Sequence, residues 1–216
     1  MRILELCSGT GSVGSVFTNQ GWEVVSLDAS PKAGATICCN IRLWDYKVYV
    51  PGHFDVIWSS PVCTHYSVAR TNAKTPRNLE WADSLVLKTL EIIDYFQPKC
   101  WYIENPQSGL LKTREFMFNL HYTDVDYCRY CTWGYRKRTR IWNNVMMQGK
   151  LCLGVGKCES MSGRQHDKTA QRGARIKDGV RDKQKHTQEQ LYKIPPDPCL
   201  DIFKFSTPVP YTNLTQ

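Results

Sequence analysis

The sequence contains no run of about 18 consecutive apolar residues, so it predicts no transmembrane helix and no membrane partner. It also lacks internal repeats and low-complexity linkers. The amino terminus has no signal-peptide pattern, because Arg2-Ile3-Leu4-Glu5-Leu6 is already typical of a strand. We therefore expect an intracellular protein that is not secreted. Most of its ten cysteines should then be reduced thiols rather than parts of a disulfide framework.

Acidic residues are scarce in one part of the chain. Residues 129–185 hold fifteen lysines and arginines but four acids, a surplus of eleven positive charges. The whole chain has a net charge of +8, so the rest carries −3 (8 − 11). A concentrated basic region is typical of a protein that binds a polyanion, with nucleic acid as the first candidate. The alternative is a solvated basic loop that has no partner.

Strand-like and helix-like segments alternate over the first two-thirds of the 216 residues. The apolar patterns predict strands at residues 3–6, 23–28, 54–58, 100–104, 122–126 and 140–143. Helices are expected at residues 12–20, 31–40 and 76–97, the last with Thr75 as its cap. This alternation predicts a doubly wound α/β sheet, in which ligands bind beyond the carboxyl ends of the strands.

A glycine-rich turn separates the first predicted strand from the first helix. Gly9-Thr10-Gly11-Ser12-Val13-Gly14 fits the G-x-G-x-x-G spacing, and Asp28 ends the next strand, where an acid can hold ribose hydroxyls. The pattern indicates a cofactor that contains adenosine, either a dinucleotide or S-adenosylmethionine. The alternative is a tight strand–helix turn that binds nothing.

Cys63 and Glu104 each follow an apolar strand. The Cys63 loop also carries His65 and Arg70, which favour a thiolate, although a cysteine in this position can equally be a buried packing residue. A carboxyl at the end of a buried strand needs a partner or a chemical role, so Glu104 can be a salt-bridged acid or a site acid. Both should lie at the same edge of the sheet as the glycine turn, and this favours a site.

Five segments, in this order, resemble the cytosine-5 DNA methyltransferase family. They are Leu6-Cys7-Ser8-Gly9-Thr10-Gly11, Pro61-Val62-Cys63, Glu104-Asn105-Pro106, Arg136-Lys137-Arg138-Thr139-Arg140 and the stretch from Thr187 to Pro195. The commoner family forms are Phe-x-Gly-x-Gly, Pro-Pro-Cys-Gln, Glu-Asn-Val, Gln-x-Arg-x-Arg and Leu-Thr…Phe-Pro. This chain departs from them at Val62, Thr64 and Arg136, which could loosen the cysteine loop and add charge near the base.

The resemblance implies a Rossmann-like fold that binds S-adenosylmethionine and a covalent mechanism. Cys63 would attack C6 of cytosine, Glu104 would bind or protonate N3, and Arg138 with Arg140 would hold the base carbonyl or the Cys63 loop. The target base would be flipped out of a duplex or already single-stranded. The residues expected at the cofactor are Leu6, Cys7, Ser8, Gly9, Thr10, Gly11, Asp28, Ala29, Ser60 and Pro61. Those expected at the nucleic acid are Arg136, Lys137, Arg164, Arg172 and Arg175.

The resemblance also divides the chain. Residues 1–143 would form the catalytic domain, residues 144–186 a small basic target-recognition insertion, and residues 187–216 a segment that packs back on the catalytic domain. An insertion this short predicts short or relaxed sequence specificity. DNA is the expected partner and implies a cytoplasmic or nuclear location. The alternatives are RNA as substrate, a silent relative that binds without methyl transfer, and a nicotinamide oxidoreductase, which only the glycine turn supports.

The remaining cysteines suggest a zinc site in the basic region. Cys128 and Cys131 form a C-x2-C pair, Cys152 and Cys158 follow, and His166 lies just beyond. Zinc prefers four Cys or His ligands in a tetrahedron. The four cysteines are the candidate ligands, and free buried thiols are the alternative.

Overall fold

Seven strands form one central sheet in the computed structural model, which describes residues 1–168, 175–177, 180–182 and 187–196. The strand order is β3-β2-β1-β4-β5-β7-β6. The first five strands in chain order are parallel to one another, and β7 is antiparallel to both β5 and β6. The bounds are β1 Arg2–Leu6, β2 Glu23–Asp28, β3 Ile37–Cys38, β4 Val56–Ser59, β5 Cys100–Pro106, β6 Tyr122–Asp126 and β7 Arg138–Asn143.

Two helices cover opposite faces of this sheet. Helix α1 (Ser12–Asn19) packs Val13 and Phe17 beside Ile3 of β1. Helix α2 (Leu79–Phe96) packs on the other face, beside Leu4 and Leu6. Because successive side chains of a strand point to opposite faces, β1 is apolar on both sides, as a buried parallel strand must be. The expected doubly wound α/β class is confirmed.

The prediction of a helix at residues 31–40 was wrong. Pro31 begins only a single 3₁₀ turn that ends at Ala33, and Gly34 then takes a left-handed conformation with φ 63°. The chain continues into the short edge strand β3, where the Thr36 amide donates to the Ser26 hydroxyl. Proline at a first helical position therefore predicted the start of the turn but not its length.

Helix α2 begins later than its sequence suggested. Its cap is Asn78, whose side-chain oxygen accepts a hydrogen bond from the Trp81 amide at 2.8 Å. Thr75 is instead held by the Arg70 guanidinium. The helix ends at Phe96, and Gln97 follows in a left-handed conformation with φ 47°.

The region after β7 contains small elements. The described elements are the strand pairs β8 (Met161–Ser162) with β9 (Gln165–His166) and β10 (Arg175–Lys177) with β11 (Val180–Asp182), and helix α3 (Gln188–Tyr192). Ile194, just beyond α3, is buried in the core on the α1 side of the sheet. Arg172 lies outside the described residues, and the predicted segment boundaries at 186 and 216 lie there too. No described helix is long and apolar enough to span a membrane.

Candidate active site

The carboxyl ends of β2, β1, β4 and β5 lie side by side at one edge of the sheet. The chain turns from β1 to β2 on one side and later returns to β4 on the other, so the strand order reverses between β1 and β4. Open α/β sheets bind ligands at such a reversal. The glycine turn, Asp28, the Cys63 loop and Glu104 all follow these strand ends.

The glycine turn is tied to Asp28. Its backbone has positive φ at Cys7, Gly9 and Gly11 (55°, 51° and 63°), a conformation that glycine adopts without strain. The Gly9 amide donates to one Asp28 carboxylate oxygen at 2.9 Å, and the Ser30 amide donates to the other at 2.8 Å. Because a carboxylate oxygen can accept more than one hydrogen bond, Asp28 can still accept from a ligand.

Glu5 is a buried acid that sequence reasoning missed. It is 2% exposed and accepts hydrogen bonds from the Val13 and Gly14 amides, which lie in the first turn of helix α1. Burial raises its pKa to about 7, against the lowering effect of those two amides. A Cβ on Gly14 would lie 2.5 Å from the Glu5 carboxylate, so the third glycine is required by helix packing. The signal available was an acid between Leu4 and Leu6 in an otherwise apolar strand.

The Cys63 loop is fixed at both ends. The Asn105 amide group donates to the Pro61 carbonyl at 3.0 Å, and this joins the loop to the end of β5 beside Glu104. On the other side, the Tyr66 amide donates to the Cys63 carbonyl. The Tyr66 ring is fully buried, and its hydroxyl donates to Asp83 at 2.8 Å. The loop backbone is therefore held on both sides of the cysteine.

Cys63 and Glu104 interact with each other and with one cation, Lys137. Burial and the nearby Glu104 charge raise the pKa of the Cys63 thiol, and Lys137 lowers it. Burial also raises the pKa of Glu104, whereas Lys137 and a hydrogen bond from the Tyr127 hydroxyl lower it. The charge of Glu104 therefore acts on Cys63, and Lys137 favours the charged form of both groups.

Arg138 and Arg140 do not face Glu104. Glu104 pairs with Ile141 across the β5–β7 ladder, and side chains alternate along a strand, so both arginines project from the opposite face of β7. Arg138 forms a two-pronged ion pair with Asp126 (3.0 and 2.7 Å), and Arg140 forms one with Asp124 (2.8 and 3.0 Å). The expectation that they hold the base is therefore not supported by the positions of their side chains.

The other residues expected at the cofactor lie along the same edge, but several of them already pack in the core or form hydrogen bonds within the protein. The Leu6 side chain is in the core, and its carbonyl accepts from the Ser60 amide at 3.1 Å. The Ser60 hydroxyl accepts from Trp58, while Thr10 bonds to Ser12. Burial, with the Asp28 charge, raises the pKa of Cys7 to about 12. Ala29 directly follows Asp28 and is exposed.

The residues expected at the nucleic acid are dispersed. Arg136 is about half exposed and lies 3.8 Å from Asp126. Arg164 is exposed in the turn between β8 and β9, and Arg175 is the first residue of β10. The Lys137 ammonium group instead donates to the Leu191 carbonyl at 2.8 Å, and its charge lowers the pKa of Glu104 and Cys63. Of the four predicted zinc ligands, Cys128, Cys152 and Cys158 lie together with His166, and Cys131 lies outside this cluster.

Comparison with known structures places the chain in a fold class. It aligns with a protein encoded in an Escherichia coli prophage and described as a "putative DNA modification methyltransferase" (TM-score 0.51, 14% identity, 72% of this chain and 52% of that one). It also aligns with the Entamoeba histolytica methyltransferase EhMeth (TM-score 0.50, 17% identity, 70% and 57%). The chain thus spans little more than half of these structures. With the strand order and the glycine turn, they define a Rossmann-like fold.

A curated relative identifies the family. A frog virus 3 protein described as "Probable DNA (cytosine-5)-methyltransferase" is 35% identical over 215 residues, which cover 91% of this chain and 95% of the relative. No protein-family model matches the sequence. The chain belongs to the cytosine-5 DNA methyltransferase family, as its five ordered segments predicted.

Proposed function

We propose that this protein transfers a methyl group from S-adenosylmethionine to C5 of cytosine in DNA, with Cys63 as the nucleophile. The observation that carries the proposal is the grouping of Cys63, Glu104 and Lys137 beside the glycine turn. A thiol, a buried carboxyl and a cation at one sheet edge are the groups that covalent catalysis on a pyrimidine needs. The 35% identical relative supports DNA as the substrate.

The glycine turn and Asp28 fit S-adenosylmethionine. The Ser8 hydroxyl is buried and forms no hydrogen bond with the described residues, so it can bond to a ligand. A Cβ on Gly11 would meet nothing within 4 Å, so the turn has open space above it. Asp28 keeps accepting capacity for ribose hydroxyls. When bound, S-adenosylmethionine would supply an electrophilic methyl group next to the Cys63 loop.

Cys63 would act on the cytosine ring as a thiolate. Its sulfur forms a bond to C6, and the displaced electron pair makes C5 nucleophilic. Burial favours a protonated Glu104, which can donate a hydrogen bond to N3 and keep negative charge off the ring. A neutral Glu104 also removes the charge that opposes the thiolate, and Lys137 stabilises the thiolate directly. After C5 is methylated, loss of its proton and of the C6–sulfur bond restores the ring and the thiolate.

The test is transfer of labelled methyl to duplex DNA, single-stranded DNA and RNA of matched sequence. Cys63→Ala should abolish transfer, and Cys38→Ala is the matched control because Cys38 lies in the edge strand β3. DNA that contains 5-fluorocytosine should trap Cys63 as a stable adduct, because fluorine cannot leave as a proton. Label on RNA alone would replace DNA as the substrate. Label that persists in Cys63→Ala would refute the covalent mechanism.

A further inference from the structure

Four metal-binding side chains meet at a second place, outside the Cys63 site. Cys128 lies in the 3₁₀ turn Tyr127–Arg129 that follows β6, Cys152 and Cys158 lie between β7 and β8, and His166 ends β9. Their ligand atoms all lie within 4.8 Å of one another. The Cys152 and Cys158 sulfurs are 3.4 and 3.6 Å from Nε2 of His166.

The two sulfur–nitrogen distances match the edges of a zinc tetrahedron. Zinc binds cysteine sulfur at about 2.3 Å and histidine nitrogen at about 2.0 Å, so neighbouring ligand atoms in a tetrahedron lie about 3.5–3.8 Å apart. The sulfur–nitrogen distances are already close to that value. Ordinary packing thiols would not need a histidine nitrogen among them. We propose that Cys128, Cys152, Cys158 and His166 bind one structural zinc ion.

The surrounding backbone supports a bound thiolate. The Gly154 amide donates to the Cys152 sulfur at 3.4 Å, and the Cys158 amide donates to the Gly154 carbonyl at 3.1 Å. Gly154 has φ 79°, a conformation that lets the chain turn between the two cysteines. The Cys152 amide is itself held by Asp126 at 2.8 Å. Hydrogen bonds of this kind orient metal ligands and stabilise their charge.

The segment that carries three of these ligands has little core of its own. Leu151, Leu153 and Val155 are 44–60% exposed, and the buried side chains nearby are the small Cys158 and Ser160. A segment with so few buried apolar groups needs another source of stability, and a structural metal is a common one.

The site would also connect the basic region to the catalytic edge. The Asp126 carboxylate accepts hydrogen bonds from both the Cys152 amide and the Arg138 guanidinium. It therefore joins the loop that carries Cys152 to β7. The Lys168 amide donates to the Gly134 carbonyl at 2.8 Å, three residues before Lys137. Zinc would therefore hold Arg164 and its hairpin in a fixed position relative to the Cys63 site.

Metal content tests the proposal directly. Full-length protein purified without chelators should contain about one zinc ion per chain by mass spectrometry of the metals. Cys128→Ser and Cys158→Ser should lose it. Cys131→Ser should keep it, because the Cys131 thiol bonds to the Tyr127 carbonyl at 3.2 Å and lies outside the cluster. Cobalt added to zinc-free wild-type protein should give the visible absorption of a tetrahedral thiolate site.

Three results would overturn the site. They are wild-type protein without zinc even after zinc is supplied, equal zinc content in Cys128→Ser and Cys131→Ser, or a disulfide among the three cysteines in freshly purified protein. The wild-type cobalt spectrum decides the matter if the serine variants do not fold. None of these readouts depends on methyl transfer, so the zinc site and the proposed activity can fail separately.

Discussion

Lys137 is held in an uncommon conformation for a lysine. Its φ is 32°, its ammonium group donates to the Leu191 carbonyl at 2.8 Å, and it lies 4.9 Å from the centre of the Tyr127 ring. A lysine rarely adopts a positive φ unless the surrounding contacts hold it there. These contacts place its charge beside Cys63 and Glu104.

Removing that charge should raise the pKa of Cys63. We expect Lys137→Met to move the pH dependence of methyl transfer, and of Cys63 alkylation followed by peptide mass spectrometry, to higher pH. Activity near neutral pH should fall on the order of 10- to 100-fold. Lys137→Arg should recover part of it, and the exposed Arg42→Met, outside the basic region, is the control for simple loss of charge. An alkylation profile of Lys137→Met identical to that of wild type would contradict this role.

Glu5 should make folding stability depend on pH. Its pKa is about 7 in the folded protein, against an ordinary glutamate pKa of 4.5, so between these values the folded state holds a proton that the unfolded state has released. The free energy of unfolding should therefore fall as the pH rises through this window, by up to about 3 kcal/mol from Glu5 alone. Urea unfolding at pH 5 and pH 8 measures it.

Glu5→Gln should remove this part of the pH dependence. Because the amide does not ionise, the variant should gain stability relative to wild type as the pH rises from 5 to 8. The control is Glu115→Gln, whose carboxyl is exposed. If the stability difference between Glu5→Gln and wild type were the same at both pH values, the raised pKa would be refuted.

The sequence alone can predict a site residue when its position depends only on where a strand ends. Cys63, Glu104 and Asp28 follow apolar strands, and parallel strands bring their carboxyl ends together. Lys137 could not be selected in this way, because it lies in a run of similar cations. Which of them faces Glu104 depends on the pairing of Glu104 with Ile141, and a shift of one residue would exchange the faces.

At the scale of elements, the Cys63 loop depends on a hydrogen bond to helix α2. The Tyr66 hydroxyl donates to Asp83, which also receives the Arg114 guanidinium at 2.6 Å. Tyr66→Phe leaves the ion pair in place and removes one buried hydrogen bond. We expect a loss of about 1–2 kcal/mol in the free energy of unfolding. We also expect a lower kcat with little change in cofactor affinity.

Tyr95→Phe is the matched control for that loop. The Tyr95 hydroxyl donates to the Tyr49 carbonyl at 3.1 Å, far from Cys63 in sequence and on the other end of α2. Both variants lose one tyrosine hydrogen bond, but only Tyr66→Phe should lower kcat. Equal effects on kcat would show that general stability, rather than loop position, controls the rate.

Elements with strong periodicity were predicted well, and short ones were not. Helix α2 has an apolar face long enough to define it, although its cap is Asn78, and Thr75 is bonded to Arg70 in the preceding loop instead. Residues 31–40 have no such face, and a short part of them instead pairs with the edge of β2 as strand β3. Tertiary pairing overrides local preference in short segments of this kind.

For the whole molecule, the sequence predicted the sheet class but not its complete order. Strand–helix alternation fixes the parallel part, because parallel neighbours need crossover connections. The insertion of β7 between β5 and β6 has no such rule. Two ion pairs between β6 and β7, Asp124 with Arg140 and Asp126 with Arg138, stabilise this arrangement. Their partners can be identified only when the register of the two strands is known.

The uneven charge of the whole molecule predicts salt-dependent binding to DNA. Residues 129–185 carry the surplus of positive charge, and Arg164 is exposed within them. Contacts between cations and phosphates release counterions, so the logarithm of the binding constant should fall linearly with the logarithm of salt concentration. Fluorescence anisotropy with labelled DNA, at salt concentrations from about 50 to about 200 mM, measures the slope.

Arg164→Ala should reduce that slope by about one, as expected for the loss of one phosphate contact. Arg42→Ala is the matched control, because Arg42 is equally classed as exposed but lies in the part of the chain without a basic surplus. If the two variants changed the slope equally, the 129–185 region would have no special role in binding. If binding by the wild type hardly changed with salt, phosphate contacts would not drive it at all, and recognition would have to depend on the flipped base in the Cys63 site.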